Sequence, residues 1–318
     1  MTGYHRLRSK PLGARAVHST SVEIGLILPT SGPGANPDGI DGATEAAIEL
    51  GWTSVWVTDH LLVPQGPEAT EYGTILEAIV SLTYIAARHD RLRIGTSVII
   101  APMRNSVILA KQLATIDLLS GGRLTVGVGV ADAHDLQEFK NLGQEERFRQ
   151  RGSLVDETIA LWRHLWSGKG PPFLGEHHVL DDYVFSPLPP QGRNIPIWVG
   201  GRSRRALRRT AELADGYHAA QTGPKDLEAR LPQLEKLLEG FGRPMPRLSI
   251  RARVKPGDDT SKKPYALRGS PQDMQADVRR FAELGVQDLV VVLGETDAER
   301  VAAAARWFNE EVVLPALG

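Results

Sequence analysis

The stretch from Arg93 to Asp132, RIGTSVIIAPMRNSVILAKQLATIDLLSGGRLTVGVGVAD, places the tightest limit on how this chain folds. Its first run, Ile94 to Ile100, is β-branched and apolar and is bounded by Gly95 and Pro102, the pattern of a strand buried on both faces. Asn105 or Ser106 can cap a helix whose Leu109, Leu113 and Ile116 share one stripe, and Gly121-Gly122 ends it. Leu124 to Val130 then starts a second buried strand. Two such strands with a helix between them form one unit of a parallel sheet, because parallel neighbours need a crossover.

Gly127 and Gly129 strip the side chains from one face of the second strand, which runs directly into Asp132, His134 and Asp135. In parallel α/β folds the carboxyl ends of the strands form the face where ligands bind. The two glycines therefore either admit a flat ligand to the backbone or allow close packing inside a barrel.

Strands are expected over Val22–Leu28, Ser54–Thr58, Ile94–Ile100, Leu124–Val130, Ile195–Val199, Asp215–Ala220, Leu248–Val254 and Leu289–Leu293. Helices fall between them, over about 39–50, 74–88, 105–119, 146–166, 203–213, 225–239, 272–284 and 297–313. Eight strands alternating with helices predict an α/β chain folded as a (β/α)8 TIM barrel with insertion segments at the strand C-terminal face. The length of 318 residues suits one such barrel. Residues 21–318 are assigned to it as a single domain, and residues 1–20 to a disordered basic leader holding Arg6, Arg8, Lys10 and Arg15. The leader lacks the apolar core of a signal peptide.

A formal net charge of -1 leaves no electrostatic footprint for nucleic acid. No apolar run reaches the roughly 18 residues of a membrane span. The absence of cysteine excludes disulfides, thiolate ligands and thiol catalysis, and fits a cytoplasmic protein.

Three groups of residues could carry chemistry. Gly200-Gly201-Arg202-Ser203 follows a strand and opens a helix, where free N–H groups, the helix dipole and an arginine favour a phosphate; an ordinary strand-to-helix turn has the same outline. Asp59-His60 ends a strand and reads as an acid/base pair, part of a metal site or a hydrogen-bonded core pair. No metal-ligand spacing such as HExxH supports the metal reading, and no metal is assigned. His177-His178 is taken as structural, with the two rings of an extended segment pointing opposite ways. The dinucleotide GxGxxG, the GxxxxGK[ST] loop and the GxSxG elbow are all missing.

WVTDH at Trp56 to His60, RIGTSV at Arg93 to Val98, NSVILAKQLATIDLLSGGRLTVGVGV at Asn105 to Val130, PIWVGG at Pro196 to Gly201 and ADG at Ala214 to Gly216 together resemble the luciferase-like monooxygenases, the bacterial luciferase superfamily. The resemblance implies a barrel that binds reduced FMN or the deazaflavin F420 at the strand C-termini. Asp59-His60 and RIGTSV look more like the F420-dependent branch. By that resemblance Ser97-Val98 is a non-prolyl cis peptide forming a bulge behind the ring, His60 lies at the reactive face and Asp59 contacts the ring. The same resemblance implies that Gly200, Gly201 and Arg202 hold the phosphate and that Asp132 aligns with an acid used in proton transfer; the turn pattern adds Ser203 to the phosphate set, and the strand-end position assigns Gly127 and Gly129 to the cofactor.

Tyr72, His134 and Asp135 are assigned to the substrate side, within loops 61–72 and 133–144; the loop 255–269 is a third determinant of the substrate. Pro64 stands where the sugar-phosphate dehydrogenases of that branch carry a tryptophan, and their substrate-phosphate ligands have no counterpart, which argues against glucose 6-phosphate. The expected activity is hydride transfer between F420 and a small organic substrate. The alternatives are an FMNH2-dependent monooxygenase using O2 and a non-catalytic flavin-binding protein; a flavin or F420 reductase is an expected partner. The resemblance also implies a homodimer, with helices 73–88 and 105–119 as interface faces.

Overall fold

Each run of β-branched and apolar residues becomes a strand of one sheet in the computed structural model, which describes residues 22–295 and 297–318. The leader expected over residues 1–20 lies outside the described residues. Strands β1 (Glu23–Ile27), β2 (Ser54–Val57), β3 (Arg93–Ile100) and β4 (Leu124–Gly129) pair in sequence order, all parallel. An antiparallel hairpin, β5 (Phe173–Leu174) and β6 (Val179–Leu180), stands outside that sheet. The sheet resumes with β7 (Ile197–Gly200), β8 (Gly216–Ala220) and β9 (Arg247–Pro256). Strand β10 (Leu267–Gly269) pairs with the end of β9, and β11 (Asp288–Val292) lies between β9 and β1. The β11–β1 pairing closes eight parallel strands into the expected (β/α)8 barrel.

Among the described residues eleven α-helices accompany the strands: α1 (Pro37–Glu49), α2 (Pro67–Tyr72), α3 (Ala78–Arg88), α4 (Ser106–Leu119), α5 (Leu136–Asn141), α6 (Glu145–Trp166), α7 (Arg204–Leu213), α8 (Pro224–Phe241), α9 (Pro271–Glu283), α10 (Ala298–Phe308) and α11 (Leu314–Leu317). Side-chain caps fix several starts: Asn36 accepts from Gly39 N–H, Asn105 from Val107 and Ile108, and Asp297 from Arg300. Among the described residues no helix is long and apolar enough to cross a membrane.

Four local expectations are corrected. The loop before α3 contains α2, started by Pro67 at its first turn, and α3 begins at Ala78 because Glu77 caps Val80 N–H at 2.8 Å. The polar segment after Asp132 forms α5. The last helix changes to a π turn over Asn309–Val313. His177 and His178 sit at the hairpin bend rather than in an extended run, so both reach α6: His177 Nε2 lies 3.0 Å from Ser153 Oγ and His178 Nδ1 2.8 Å from Glu157 Oε1.

The barrel interior is filled by size matching. Trp56 and Trp198 are buried inside it with ring centroids 5.0 Å apart, packed with Ile27 and Val290. Glycines on neighbouring strands make room for them: a Cβ on Gly95 would overlap the Trp56 ring, and one on Gly216 the Trp198 ring. Trp56 Nε1 donates to Ser54 Oγ at 2.9 Å, so its polar atom is paired inside the core.

At the strand N-termini a ring of charges closes the other end. Arg93 pairs with Glu23 and Asp288, and Arg247 with the same two carboxylates. Burial alone would raise the Glu23 pKa, but Arg247 and Arg93 hold it below its ordinary value. Asp288 is 1% exposed and its arginine partners 30%. Asp288→Asn is expected to lower unfolding free energy by about 2 kcal/mol, less than for a fully buried pair because the guanidiniums meet water. Urea denaturation measures this, and an unchanged midpoint would show that the ring adds no stability.

Candidate functional site

The C-terminal mouth of the barrel opens into a cavity of about 430 Å³. Its floor is set by a break in β3: the β3–β4 register jumps between Thr96 and Ile99, and the Ser97–Val98 peptide is cis. Ser97 is held from two sides. Its Oγ lies 2.7 Å from His218 Nε2, and its carbonyl accepts from Arg251 Nη1 at 3.1 Å. His218 Nδ1 is in turn 2.8 Å from Ser249 Oγ, and its ring stacks on Trp56 at 5.5 Å. Burial, reinforced by the nearby Arg251 charge, pushes the His218 pKa down to about 3, so this ring is neutral at physiological pH.

Val98 projects from the break into the cavity, and glycines surround it. A Cβ on Gly129 would come within 2.6 Å of Val98 Cγ2, and one on Gly200 within 3.1 Å of Cγ1. Gly127 lies off the cavity wall; its missing side chain leaves room for the Thr96 carbonyl, which is the close-packing alternative of the sequence reading.

Asp59 ends β2 fully inside the protein. Arg104 grips its carboxylate with two nitrogens at 2.6 and 2.7 Å, and Ile100 N–H donates to it at 2.8 Å. Arg104 also reaches Glu77 at 2.7 Å. Burial opposes the charge on Arg104, but Asp59 and Glu77 together keep it protonated, above its ordinary pKa.

His60 follows, at the cavity edge. Its Nδ1 lies 2.9 Å from Glu138 Oε2, and its ring packs on Tyr72 with centroids 4.5 Å apart. Glu138 is 1% exposed, and its other oxygen accepts the N–H groups of Leu61 and Leu62. Burial would lower the His60 pKa; the Glu138 hydrogen bond and charge, aided by Asp135 and Asp59, outweigh it and raise it above 6.5. For Glu138 burial acts upward, and His60 with the two backbone donors brings the pKa below 4.5. His60, Asp135 and Glu138 offer ligand atoms within 4.8 Å of one another, a spacing a metal could use, but both Glu138 oxygens already serve His60 and the backbone.

Asp132, His134, Ala131 and Gln221 line the rim. Ala131 and Gln221 carry positive φ of 75° and 51°, left-handed backbone that is uncommon for residues other than glycine. Asp132 N–H donates to Asp135 Oδ2 at 2.7 Å. β7 ends at Gly200, Gly201 follows with φ of 115°, and Arg202 also lines the cavity, before α7. Ser203 does not line the cavity; its Oγ accepts Ala206 N–H and caps α7. The cavity thus brings together Val98 beside Gly129 and Gly200, the His60 ring, and Arg202 on the turn that leads into α7. That shape suits a flat polycyclic ring with an anionic tail.

The model of the luciferase-like monooxygenase family matches residues 22–262. The chain belongs to this family. Two curated relatives are named F420-dependent glucose-6-phosphate dehydrogenase. The protein from Amycolatopsis mediterranei (strain U-32) is 33% identical over 173 residues, 54% of this chain and 50% of its own. That from Kineococcus radiotolerans is 32% identical over 200 residues, 62% of this chain and 57% of its own. The chain thus spans little more than half the length of these relatives. Among solved structures, an F420-dependent secondary alcohol dehydrogenase in complex with an F420-acetone adduct superposes with a TM-score of 0.76 at 18% identity, covering 93% of this chain and 99% of that one, a likeness of fold.

Within this luciferase-like barrel, the structure gathers His60, Asp59, Tyr72, Ser97, Val98, Gly129, Asp132, His134, Asp135, Gly200, Gly201 and Arg202 on one cavity wall. Gly127 and Ser203 serve packing and capping instead. Sequence reasoning missed Glu138, His218, Arg104, Arg251 and Arg253. Only Arg251 and Arg253 left a signal: they alternate with apolar residues on a strand otherwise buried, so both point to one face.

The Glu138–His60 pair has a defined pH signature. The raised His60 pKa stabilises the fold below pH 6.5, and that contribution is lost as pH rises through the folded value. The lowered Glu138 pKa stabilises it above pH 4.5, with loss as pH falls through its folded value. Glu138→Gln is expected to bring the His60 pKa down, measured by NMR histidine titration, and to cost most thermal stability between pH 4.5 and 6.5. A stability loss independent of pH would show that the pair does not act as ions.

Proposed function

We propose that the protein is an F420-dependent oxidoreductase that transfers hydride between the deazaflavin and a small organic substrate. The observation that carries this reading is the joint placement of Val98, His60 and the Gly200–Arg202 turn around one cavity. The names of the aligned relatives favour the deazaflavin over FMN.

F420, when bound, supplies the hydride donor or acceptor. Arg202, the Gly200-Gly201 backbone and the α7 N-terminus hold its phosphate. Val98 and the glycines beside it would offer the ring an apolar surface, and His218 with Arg251 keeps Ser97 in place next to Val98. Glu138 fixes the tautomer and orientation of His60 through Nδ1, leaving Nε2 to give or take the proton that accompanies hydride transfer. Asp132 is the second acid/base group, on the rim. Asp59 does not reach for a proton, because both its oxygens are engaged by Arg104 and Ile100 N–H. Its place is to fix the backbone that carries His60.

Fluorescence titration of the purified protein with F420 and with FMN tests the reading. F420 is expected to bind at least tenfold more tightly than FMN. Arg202→Ala should weaken F420 about tenfold, the loss of one charge-assisted contact of about 1.4 kcal/mol, whereas His60→Ala should leave affinity within about threefold. A preference for FMN, or no cofactor binding, would overturn the proposal.

A further inference from the structure

A second cavity of about 410 Å³ lies beside the first, at the ends of β1 and β11. Thr58, Glu71, Tyr72, Arg251 and Arg253 belong to the walls of both. The rest of the second chamber is lined mostly by apolar residues, Leu28, Pro29, Val292, Leu293 and Val301 among them, together with Ser31, Thr70 and Glu295. Two guanidiniums therefore stand in the partition between the proposed cofactor cavity and an apolar chamber. Arg251 spends Nη1 on the Ser97 carbonyl and lies 3.4 Å from Thr58 Oγ1. Arg253 is paired through Nη2 with Glu71 of α2.

We propose that this chamber receives the substrate, and that the substrate is a small organic acid with an apolar body whose reducible carbon lies beside its carboxylate, as in a 2-oxo acid. The proposal rests on the cofactor reading above and names the substrate of that site. Arg253 is half-exposed, at 38%, and a guanidinium standing beside apolar surface holds an anion more strongly than one in open water. In the free protein that anion is Glu71, whose side chain is 42% exposed on a six-residue helix. A substrate carboxylate replaces or joins it with the two-point geometry that arginine offers. The apolar lining selects a hydrocarbon body, because the hydroxyls of a sugar would lose their partners there.

Position then fixes the reacting carbon. The arginines stand on the shared wall, so the end of the substrate that carries the anion is the end that meets the first cavity, next to His60 and Tyr72. For a 2-oxo acid, hydride from reduced F420 adds to C2 and the carbonyl π pair moves to oxygen. That oxygen takes the proton from His60, the product is the 2-hydroxy acid, and the deazaflavin is oxidised by two electrons.

Calorimetric titration of 4-methyl-2-oxopentanoate, its methyl ester and glucose 6-phosphate into the protein, with and without oxidised F420, tests the assignment. The acid is expected to bind at least tenfold more tightly than the ester or the sugar phosphate. Arg253→Gln should abolish that advantage. Glu71→Gln, which removes the competing carboxylate, should tighten acid binding about threefold, a gain that misfolding does not produce. Equal binding of acid and ester, tighter binding of glucose 6-phosphate, or indifference to Arg253→Gln would overturn the proposal, and would leave the cofactor reading standing if F420 binds. Selective acid binding without F420 binding would support the chamber while overturning the cofactor reading.

Discussion

The carboxylate of Asp59 is the fixed point of the ligand face. It joins the end of β2 to the Ile100 N–H at the end of β3, and through Arg104 it reaches Glu77, which starts α3. Three consecutive segments of the barrel are tied by one buried group. Leaving Arg104 without that partner would strand a buried charge, so these segments keep one arrangement. His60 is the next residue along, and its position relative to Val98 follows from the same tie.

The two ends of the barrel divide their tasks. At the strand N-termini, Glu23, Arg93, Arg247 and Asp288 neutralise one another in a closed ring, leaving little charge for a ligand. At the C-termini, charges are paired across elements and partly exposed, as in Arg253 with Glu71. Between them the Trp56–Trp198 layer separates the two sets with apolar volume. The mouth can therefore vary while the core that supports it stays the same.

Much of this was legible in the sequence because parallel barrel strands are buried on both faces and read as continuous β-branched runs. That pattern gave the eight strands and the fold, and the strand ends then pointed to Asp59, His60, Asp132 and Gly200 to Arg202. What stayed hidden depends on contacts between distant segments. Glu138 lies in a polar stretch and becomes a buried partner of His60 only because α5 packs over the β2 end. His218 reads as a residue of a short strand, and nothing local shows Ser97 and Ser249 on either side of it. The short α2 has too few residues to show a period, and Glu71 and Tyr72 commit to Arg253 and His60 from it. The glycines were ambiguous for the same reason: Gly127 faces a neighbouring carbonyl, whereas Gly129 and Gly200 face the cavity.

The packing around Val98 carries an evolutionary corollary. Its two methyl groups occupy space bordered by Gly127 and Gly129 of β4 and Gly200 of β7, so one small volume is shared by four positions on three strands. The effect of enlarging any one of them is conditional on the others, and their substitutions are non-additive. Side-chain volume there can drift only in compensating pairs, so this patch of the barrel should change in concert across descendants, or not at all.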